Sequence, residues 1–353
     1  MNYKIDSHKL MYHIDRVHKW LNGENIYPVY MEISPCGACN HRCIFCAFEY
    51  LNYKPKLIDS DILTKRISEL GSLGVKSIMY AGEGEPFIHR DMVNFIIHTK
   101  KSGIDCAVAT NAVLLNEEKI NKCLGFLAWI RVSMNAGTKE TYKKIHKSRD
   151  NDFNIVLKNI ETAVKIKKKN KYKSTIGVQI ILLPENYNEI TILAKLLKNL
   201  GIDYLTIKPF IKHPMSMHNI VKKFSFKELS ELDNKLKKIS DNNFSVIFRL
   251  HGFEKLNENK IYKRCLGLQF FAEIVSDGNV YTCGPYLGNK NFCYGNIYKN
   301  TFKEIWNSKE RKKNLEFIET ELNPNKCMTN CRLDEINRYL WELKNPPSHV
   351  NFI

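Results

Sequence analysis

The sequence lacks the long apolar segments that mark membrane and secreted proteins. No run approaches the roughly 18 apolar residues of a membrane-spanning helix. Residues 1–19 are polar and rich in His and Lys, without the apolar centre of a secretory signal. We also find no internal repeat, which excludes solenoids and propellers. These absences predict a cytoplasmic protein that does not bind membranes.

Acidic residues are also in short supply. The 353 residues include 37 Asp and Glu against 54 Lys and Arg, so the net charge is +17. Such an excess suits an anionic substrate, such as a nucleotide sugar or a phosphate, or an acidic flavodoxin. It is equally consistent with a compositional bias, because Lys, Asn and Ile are abundant throughout. No nucleic-acid-binding motif accompanies the charge, so nucleic acid is not an expected partner.

Cysteine, in contrast, is plentiful and unevenly placed. Four of the eleven cysteines lie between Cys36 and Cys46, and five lie between Cys265 and Cys331. In a cytoplasmic chain this distribution favours metal or redox chemistry over disulfide bonds. Cys106 and Cys123 stand alone in apolar surroundings, where a thiol packs as a small hydrophobic group. We therefore expect two functional cysteine groups and two core cysteines.

Residues 28 to about 210 alternate between strand-like and helix-like segments. The predicted strands are Val29–Ile33, Ser77–Ala81, Ala107–Thr110, Trp129–Ser133, Thr175–Leu182 and Tyr204–Ile207. The predicted helices between them are Ser60–Leu73, Arg90–Lys101, Glu117–Leu124, Phe153–Lys169 and Glu189–Leu200. Short apolar strands alternating with helices indicate a parallel sheet with right-handed crossovers. The predicted fold is α/β, a partial (β/α)6 TIM-type barrel with its active site at the carboxyl ends of the strands.

The first cysteine group forms the pattern C-x3-C-x2-C directly after the first predicted strand. Cys39, Cys43 and Cys46 can ligate three irons of a 4Fe–4S cluster from one loop. The fourth iron would then be open to the amino group and carboxylate of a methionine. Zinc is the alternative metal, but a structural zinc needs four ligands. His41 is a candidate fourth ligand that its place inside the loop disfavours, and Cys36 lies outside the pattern.

Together with a second motif, this loop resembles the radical S-adenosylmethionine (SAM) superfamily. Asn follows the first cysteine, an aromatic residue precedes the third, and Gly82-Glu83-Gly84-Glu85-Pro86 follows the second strand, like the G-x-G-E-P loop of the family. The resemblance implies a 4Fe–4S cluster on the three cysteines, with SAM on its open iron. It also implies that Gly82, Gly84, Glu85 and Pro86 contact SAM. Glycines allow a close backbone approach, and Glu85 can accept from the ammonium of SAM.

The resemblance assigns further cofactor contacts to the ends of later strands. Thr110-Asn111-Ala112 resembles the T-N-G sequence of the family, with Ala in place of Gly. Ser133 and Asn135 stand where the family often binds the ribose and the methionine carboxylate, and Gln179 is a candidate of the same kind. Each could instead be a satisfied polar group at a strand end. Lys208 ends the sixth strand, where its cation would suit an anionic substrate.

The second cysteine group resembles the SPASM and twitch iron–sulfur modules of that superfamily. Cys265, Gly278 and Cys283 form C-x12-G-x4-C, and Cys327 and Cys331 follow. The full cysteine set of a SPASM module is absent. The spacing is closer to the twitch module of dehydrogenases that carry a single auxiliary cluster, such as 2-deoxy-scyllo-inosamine dehydrogenase. This resemblance implies one auxiliary 4Fe–4S cluster on the four cysteines, with a structural zinc site as the alternative.

These assignments predict five segments. They are an N-terminal extension (1–27), the core barrel (28–224), a linking helix and strand (225–259), a twitch or SPASM-like domain (260–335), and a C-terminal helix and tail (336–353). Within the fourth segment, the turn sequence Asp277-Gly278 predicts a hairpin.

The resemblance implies that the chain cleaves SAM to a 5′-deoxyadenosyl radical, which abstracts a hydrogen atom from a small polar substrate. Reduced flavodoxin or ferredoxin would supply the electron. The resemblance to dehydrogenases with a single auxiliary cluster implies oxidation of a sugar, cyclitol or nucleotide-sugar alcohol. The alternatives are a sugar or nucleoside decarboxylase, or an epimerase with Cys293 as its hydrogen donor. A peptide maturase is disfavoured by the short segment before the first strand. An electron-transfer protein is disfavoured by the G-x-G-E-P loop.

Overall fold

The structure is a computed structural model that describes residues 8–218, 220 and 224–352. Part of the predicted N-terminal extension and of the segment after the sixth strand lies outside these residues. The strands are β1 Tyr30–Ile33, β2 Ser77–Tyr80, β3 Asp105–Thr110, β4 Leu127–Ser133, β5 Thr175–Leu182, β6 Tyr204–Pro209, β7 Ser245–Phe248, β8 Phe271–Ile274, β9 Asn279–Tyr281 and β10 Cys293–Asn296.

The α-helices of this part of the chain surround the sheet. They are α1 Ile14–Leu21, α2 Ser60–Ser72, α3 Met92–Lys101, α4 Glu117–Cys123, α5 Lys139–His146, α6 Asp152–Asn170, α7 Ile190–Leu200, α8 Phe226–Lys237, α9 Leu250–Glu254, α10 Phe302–Trp306, α11 Lys309–Glu321 and α12 Asp334–Lys344. None of the helices in the described ranges is long and apolar enough to cross a membrane.

One sheet carries all ten strands in the order β10-β9-β8-β1-β2-β3-β4-β5-β6-β7. Strands β1 to β7 pair in sequence order and run parallel, so each is connected to the next by a crossover. All six predicted strands are present, and the prediction of a partial TIM-type barrel is confirmed. The sheet begins at β10 and ends at β7, which leaves the barrel open.

Alternate residues of the parallel strands face opposite sides of the sheet. Met31, Ile78, Val108, Ile130 and Leu205 belong to the main core, which also contains apolar side chains from the surrounding helices. The intervening positions face the barrel interior. Glycine follows the ends of three helices, where Gly74, Gly103 and Gly201 all adopt the left-handed conformation, with φ between 77° and 81°.

The C-terminal region continues the barrel sheet. The predicted hairpin is present, with β8 and β9 joined at Gly278, where φ is +80°. Strand β8 also pairs in parallel with β1, and Glu273 lies beside Glu32 in this register. Behind the hairpin is a second, smaller apolar core that includes Leu268, Phe271 and Phe292. The C-terminal cysteines are therefore attached to the barrel through β8.

Candidate active site

The first cysteine group lies in the loop after β1, at the carboxyl edge of the sheet. Cys39, Cys43 and Cys46 are partly exposed. Their thiols lie near one another, because Cys46 acts electrostatically on Cys39, and both of these act on Cys43. Burial raises the pKa of Cys39 to about 12, and the pKa values of the other two thiols are raised as well. Three convergent thiols from one loop fit three corners of a 4Fe–4S cluster.

The two neighbours of this cysteine set have other partners. Cys36 is 1% exposed, and its thiol donates to the carbonyl oxygen of Ala38 at 3.4 Å. The Nε2 atom of His41 lies 3.0 Å from the Oδ2 atom of Asp152. Burial lowers the pKa of His41, although the Asp152 carboxylate opposes this shift. Of the two ring nitrogens of His41, only Nδ1 lacks a hydrogen-bond partner among the described residues.

The Gly82–Pro86 loop packs directly on the cysteine loop. A Cβ atom at Gly82 would overlap the Ser34 hydroxyl, and one at Gly84 would overlap the carbonyl oxygen of Ala38. The backbone N–H of Glu85 donates to the same Ala38 oxygen at 2.9 Å. The glycines therefore allow close contact between two loops. This contact was not expected from the sequence, which suggested only an approach to a ligand.

Glu85 is 2% exposed and is already well occupied by protein donors. One carboxylate oxygen accepts from the Thr110 hydroxyl at 2.6 Å and the Phe87 N–H at 3.1 Å, and the other accepts from the Asn111 N–H at 2.7 Å. Burial raises the pKa of Glu85, while these hydrogen bonds lower it. Three of about four acceptor positions of the carboxylate are thus used within the protein. The predicted SAM contact would use the remaining one.

The other predicted cofactor contacts fall into two groups. The side chains of Asn111 and Asn135 are engaged within the protein: Asn111 donates to Asn40 at 2.7 Å, and Asn135 accepts from the Ile181 N–H at 2.7 Å. Ser133 and Gln179, in contrast, are neighbours in the β4–β5 register and point into the barrel. The Gln179 Oε1 atom is buried without a hydrogen-bond partner in the described chain. Of this second pair, Gln179 has an oxygen that could still accept a hydrogen bond from a ligand, and the predicted contacts of both residues stay predictions.

The barrel interior holds cations that the sequence analysis mostly missed. Arg131 on β4 reaches across β3, and its Nη2 atom lies 3.9 Å from the Met79 sulfur on β2. Lys208 on β6 is close enough to Arg131 and Arg332 for their charges to act on it, and burial with these cations places its pKa well below the ordinary value. Within the described chain, neither Arg131 nor Lys208 has a carboxylate within ion-pair distance.

Two carboxylates face these cations from β1 and β8. Glu32 forms an ion pair with Arg332 and accepts from the Tyr30 hydroxyl at 2.7 Å. Glu273 is 1% exposed, and neither of its oxygens has a hydrogen-bond partner in the described ranges. Burial and the neighbouring Glu32 raise the pKa of Glu273 to about 8, against the effect of Arg332. The signal missed in the sequence is a glutamate inside an otherwise apolar strand.

The second cysteine group is also brought together. Burial is the main cause that raises the pKa of Cys283, and the thiols of Cys331, Cys265 and Cys327 raise it further, so all four lie close together. Donors reach three of the sulfurs: the Asn337 amide to Cys265 at 3.4 Å, the Thr282 hydroxyl to Cys283 at 3.5 Å, and a backbone N–H to Cys331 at 3.4 Å. Four converging thiols fit a cluster whose irons are all ligated by protein.

Cys293 lies apart from that group. It is on β10, opposite Tyr281, and its thiol faces the carbonyl oxygen of Gly295 at 3.6 Å. Burial raises its pKa, and the charged groups that affect it are Asp277 and Glu310 rather than the other cysteines. Its suggested role as a hydrogen donor stays a prediction.

The open parallel barrel with a cysteine loop after β1, together with the four-cysteine module on β8, defines an iron–sulfur protein that binds a cofactor at the barrel mouth. Comparison of family profiles agrees. The radical SAM superfamily profile matches residues 33–197, and the SPASM profile, an iron–sulfur cluster-binding domain, matches residues 265–332. The chain belongs to the radical SAM superfamily and is a radical SAM enzyme with a SPASM domain. Its cofactors are 4Fe–4S clusters and SAM.

Similar proteins share this architecture. The chain is 26% identical over 308 residues to the tungsten-containing aldehyde ferredoxin oxidoreductase cofactor-modifying protein of Pyrococcus furiosus, covering 79% of this chain and 80% of that protein. It is 26% identical over 215 residues to a probable GTP 3′,8-cyclase of Saccharolobus islandicus, covering 60% and 65%. The crystal structure of SuiB from Streptococcus suis with SAM has a TM-score of 0.64 at 19% identity, over 85% of this chain and 70% of that one.

Proposed function

We propose that the enzyme removes a hydrogen atom from a small anionic alcohol inside the barrel, and so oxidises a sugar, cyclitol or nucleotide-sugar. One observation carries the proposal: among the described residues, Arg131 and Lys208 lie in the interior with no carboxylate within ion-pair distance, and Glu273 lies in the same interior without a hydrogen-bond donor. Buried charges and polar groups are costly unless a partner satisfies them. A bound substrate is the missing partner.

The cations determine the class of substrate. A phosphate or carboxylate group would bind between Arg131 and Lys208, and a guanidinium can hold two of its oxygens at once. Gln179 and Thr206 lie side by side on β5 and β6, and each has a buried oxygen without a partner in the described chain. These two oxygens suit substrate hydroxyl groups. The anionic end is thereby anchored, and the rest of the molecule is directed toward the barrel mouth.

The two cysteine groups would hold the redox cofactors. Cys39, Cys43 and Cys46 would hold the cluster that binds SAM, and the four C-terminal cysteines would hold a second cluster. When bound, SAM and its cluster supply the radical that takes a hydrogen atom from a C–H bond, and the second cluster supplies an electron acceptor. Glu273 would accept the hydroxyl proton of the substrate. Burial and the neighbouring Glu32 raise the pKa of Glu273, so its carboxylate is a stronger base than that of an ordinary glutamate.

The Pyrococcus furiosus relative supports a substrate that is not a peptide. It is described as a cofactor-modifying protein, and its similarity extends over most of both chains. The solved structures of similar fold include a peptide complex of SuiB, at 17% identity. That likeness is one of fold. The charged barrel interior of the present chain supports a small anionic molecule as the substrate.

The test compares sugars and cyclitols with their phosphates, each carrying deuterium at the alcohol carbon. We expect the phosphates to increase formation of deuterated 5′-deoxyadenosine by the anaerobically reduced enzyme, with one ketone per SAM consumed. Lys208→Gln should abolish this increase but leave the slow, substrate-free cleavage of SAM unchanged. Lys195→Gln, at an exposed position on α7, is the matched control. Equal stimulation by every sugar and its phosphate would contradict the proposal.

A further inference from the structure

A buried imidazole lies between the backbone and the cysteine loop. His146 is the last residue of α5 and is 1% exposed. Its Nδ1 atom is 3.2 Å from the Cys43 sulfur, and its Nε2 atom is 3.1 Å from the backbone nitrogen of Asn135. The ring thus connects β4, through the residues that follow it, to one of the three convergent thiols.

These two contacts determine where the ring carries its proton. A backbone N–H can only donate, so the Nε2 atom of His146 accepts from Asn135 and carries no hydrogen. A neutral imidazole must then carry its hydrogen on Nδ1. The Nδ1–H group points at the Cys43 sulfur, which accepts the hydrogen bond. The same argument excludes Nδ1 as a metal ligand, although His41, Cys43 and His146 could otherwise surround an ion.

The surroundings hold this ring in place. Arg42 N–H donates to the carbonyl oxygen of His146 at 3.0 Å, and Ile44 N–H donates to that of Ile145 at 2.9 Å, so the cysteine loop is attached to the end of α5. The Tyr142 ring stacks on the imidazole with a centroid distance of 4.2 Å. The hydrogen bond to sulfur is therefore a built feature of the fold.

We propose that His146 is a positioning residue that raises the reduction potential of the SAM-binding cluster by donating a hydrogen bond to the Cys43 thiolate. The inference rests on the part of the proposed function that assigns Cys43 as a cluster ligand. Reduction adds negative charge to a cluster, and donors to its sulfurs stabilise that charge. Loss of the donor should make the cluster harder to reduce by a flavodoxin or ferredoxin.

Two substitutions of His146 distinguish the hydrogen-bond donor at Nδ1 from the acceptor at Nε2. In His146→Asn, the side-chain amide nitrogen takes the place of Nδ1 and can still donate to Cys43. In His146→Gln, the longer side chain reaches the place of Nε2, where its oxygen can accept from Asn135, but no donor remains beside the sulfur. Tyr142→Phe is the matched control, because it keeps the stacking and removes a hydroxyl that has no hydrogen-bond partner among the described residues.

The measurement is a redox titration of the reconstituted enzyme followed by electron paramagnetic resonance, with iron and zinc counted in each sample. Addition of SAM changes the signal of the SAM-binding cluster and so distinguishes it from the auxiliary signal. We expect a more negative midpoint potential for this cluster in His146→Gln, and the wild-type value in His146→Asn and Tyr142→Phe. The auxiliary signal should not shift in any variant.

Each other result overturns the inference. Equal potentials in the wild type and His146→Gln would show that the contact does not tune the cluster. Loss of iron in both His146 variants of a folded protein would make the residue a support of the loop instead. Zinc that is bound by the wild type and lost in the variants would show that His146 is a zinc ligand. Absence of any SAM-sensitive signal in the wild type would instead refute the assignment of the cluster itself.

Discussion

Replacement of Glu85 by alanine tests whether this carboxylate holds the SAM loop together, contacts SAM, or does both. The side chain is buried and accepts three hydrogen bonds, two of them from the backbone N–H groups of Phe87 and Asn111. Alanine leaves both N–H groups without an acceptor. Glutamine keeps one oxygen and so leaves about one donor unsatisfied. The two variants should therefore differ in severity.

The magnitude follows from the number of donors left unsatisfied. A buried N–H group without a partner costs about 1–3 kcal/mol. The free energy of unfolding should therefore fall by about 2–6 kcal/mol in Glu85→Ala and by about half as much in Glu85→Gln. A direct contact with the SAM ammonium would add a separate loss of about 1.5–3 kcal/mol in binding free energy. Stability and binding thus report two different roles.

Anaerobic urea unfolding measures the first quantity, and calorimetric titration with SAM measures the second. Unfolding of Glu85→Ala at the same urea concentration as the wild type would refute the supporting role derived from the three hydrogen bonds. An unchanged SAM affinity in a stable Glu85→Gln protein would remove Glu85 from the cofactor contacts. A loss of stability that is larger in Glu85→Ala than in Glu85→Gln, together with a loss of SAM affinity, would support both roles.

Two further predictions concern the cluster sites. Substitution of all three loop cysteines by alanine should abolish formation of 5′-deoxyadenosine and reduce the iron content from about eight to about four per chain. Formation that persists would contradict the assignment to Cys39, Cys43 and Cys46. About four irons with zinc in the wild type would instead contradict the auxiliary 4Fe–4S cluster on the four C-terminal cysteines. In Gly84→Ala, the new Cβ atom would lie 2.7 Å from the carbonyl oxygen of Cys36. We therefore expect the variant to lose the iron held by the cysteine loop and to lose SAM binding. Gly103→Ala is the control, because nothing lies within 4 Å there, and its left-handed backbone alone should cost about 1–2 kcal/mol without loss of iron.

The barrel could be predicted because its strands are short apolar runs separated by helices, three of which are followed by glycine. Each of the six predicted strands is present within a few residues. Helix α5 was not predicted, since its sequence Lys-Glu-Thr-Tyr-Lys-Lys-Ile-His is mostly polar and only Tyr142, Ile145 and His146 are buried. A short helix of this kind is stabilised by tertiary packing rather than by its own pattern.

The cysteine sets could also be predicted, because the spacing within a loop limits which thiols can converge. The charged barrel interior could not be predicted from the sequence. Arg131, Glu32 and Glu273 are separated by long stretches of chain, and their proximity depends on strand register. The pairing of β8 with β1 places Glu273 beside Glu32, and no local feature of either strand specifies that partner.

The sequence by itself determined the elements of this protein: the parallel strands and the two groups of cysteines, each a matter of local periodicity or spacing. Only the tertiary structure decided which polar groups meet. It placed Glu85 on three protein donors and directed His146 at the Cys43 sulfur. In the part of the chain that the structure describes, it left Arg131 and Lys208 with no carboxylate within ion-pair distance. The physical reason is that hydrogen bonds and ion pairs act over a few ångströms. Distances that short between distant parts of a chain exist only after the sheet has formed.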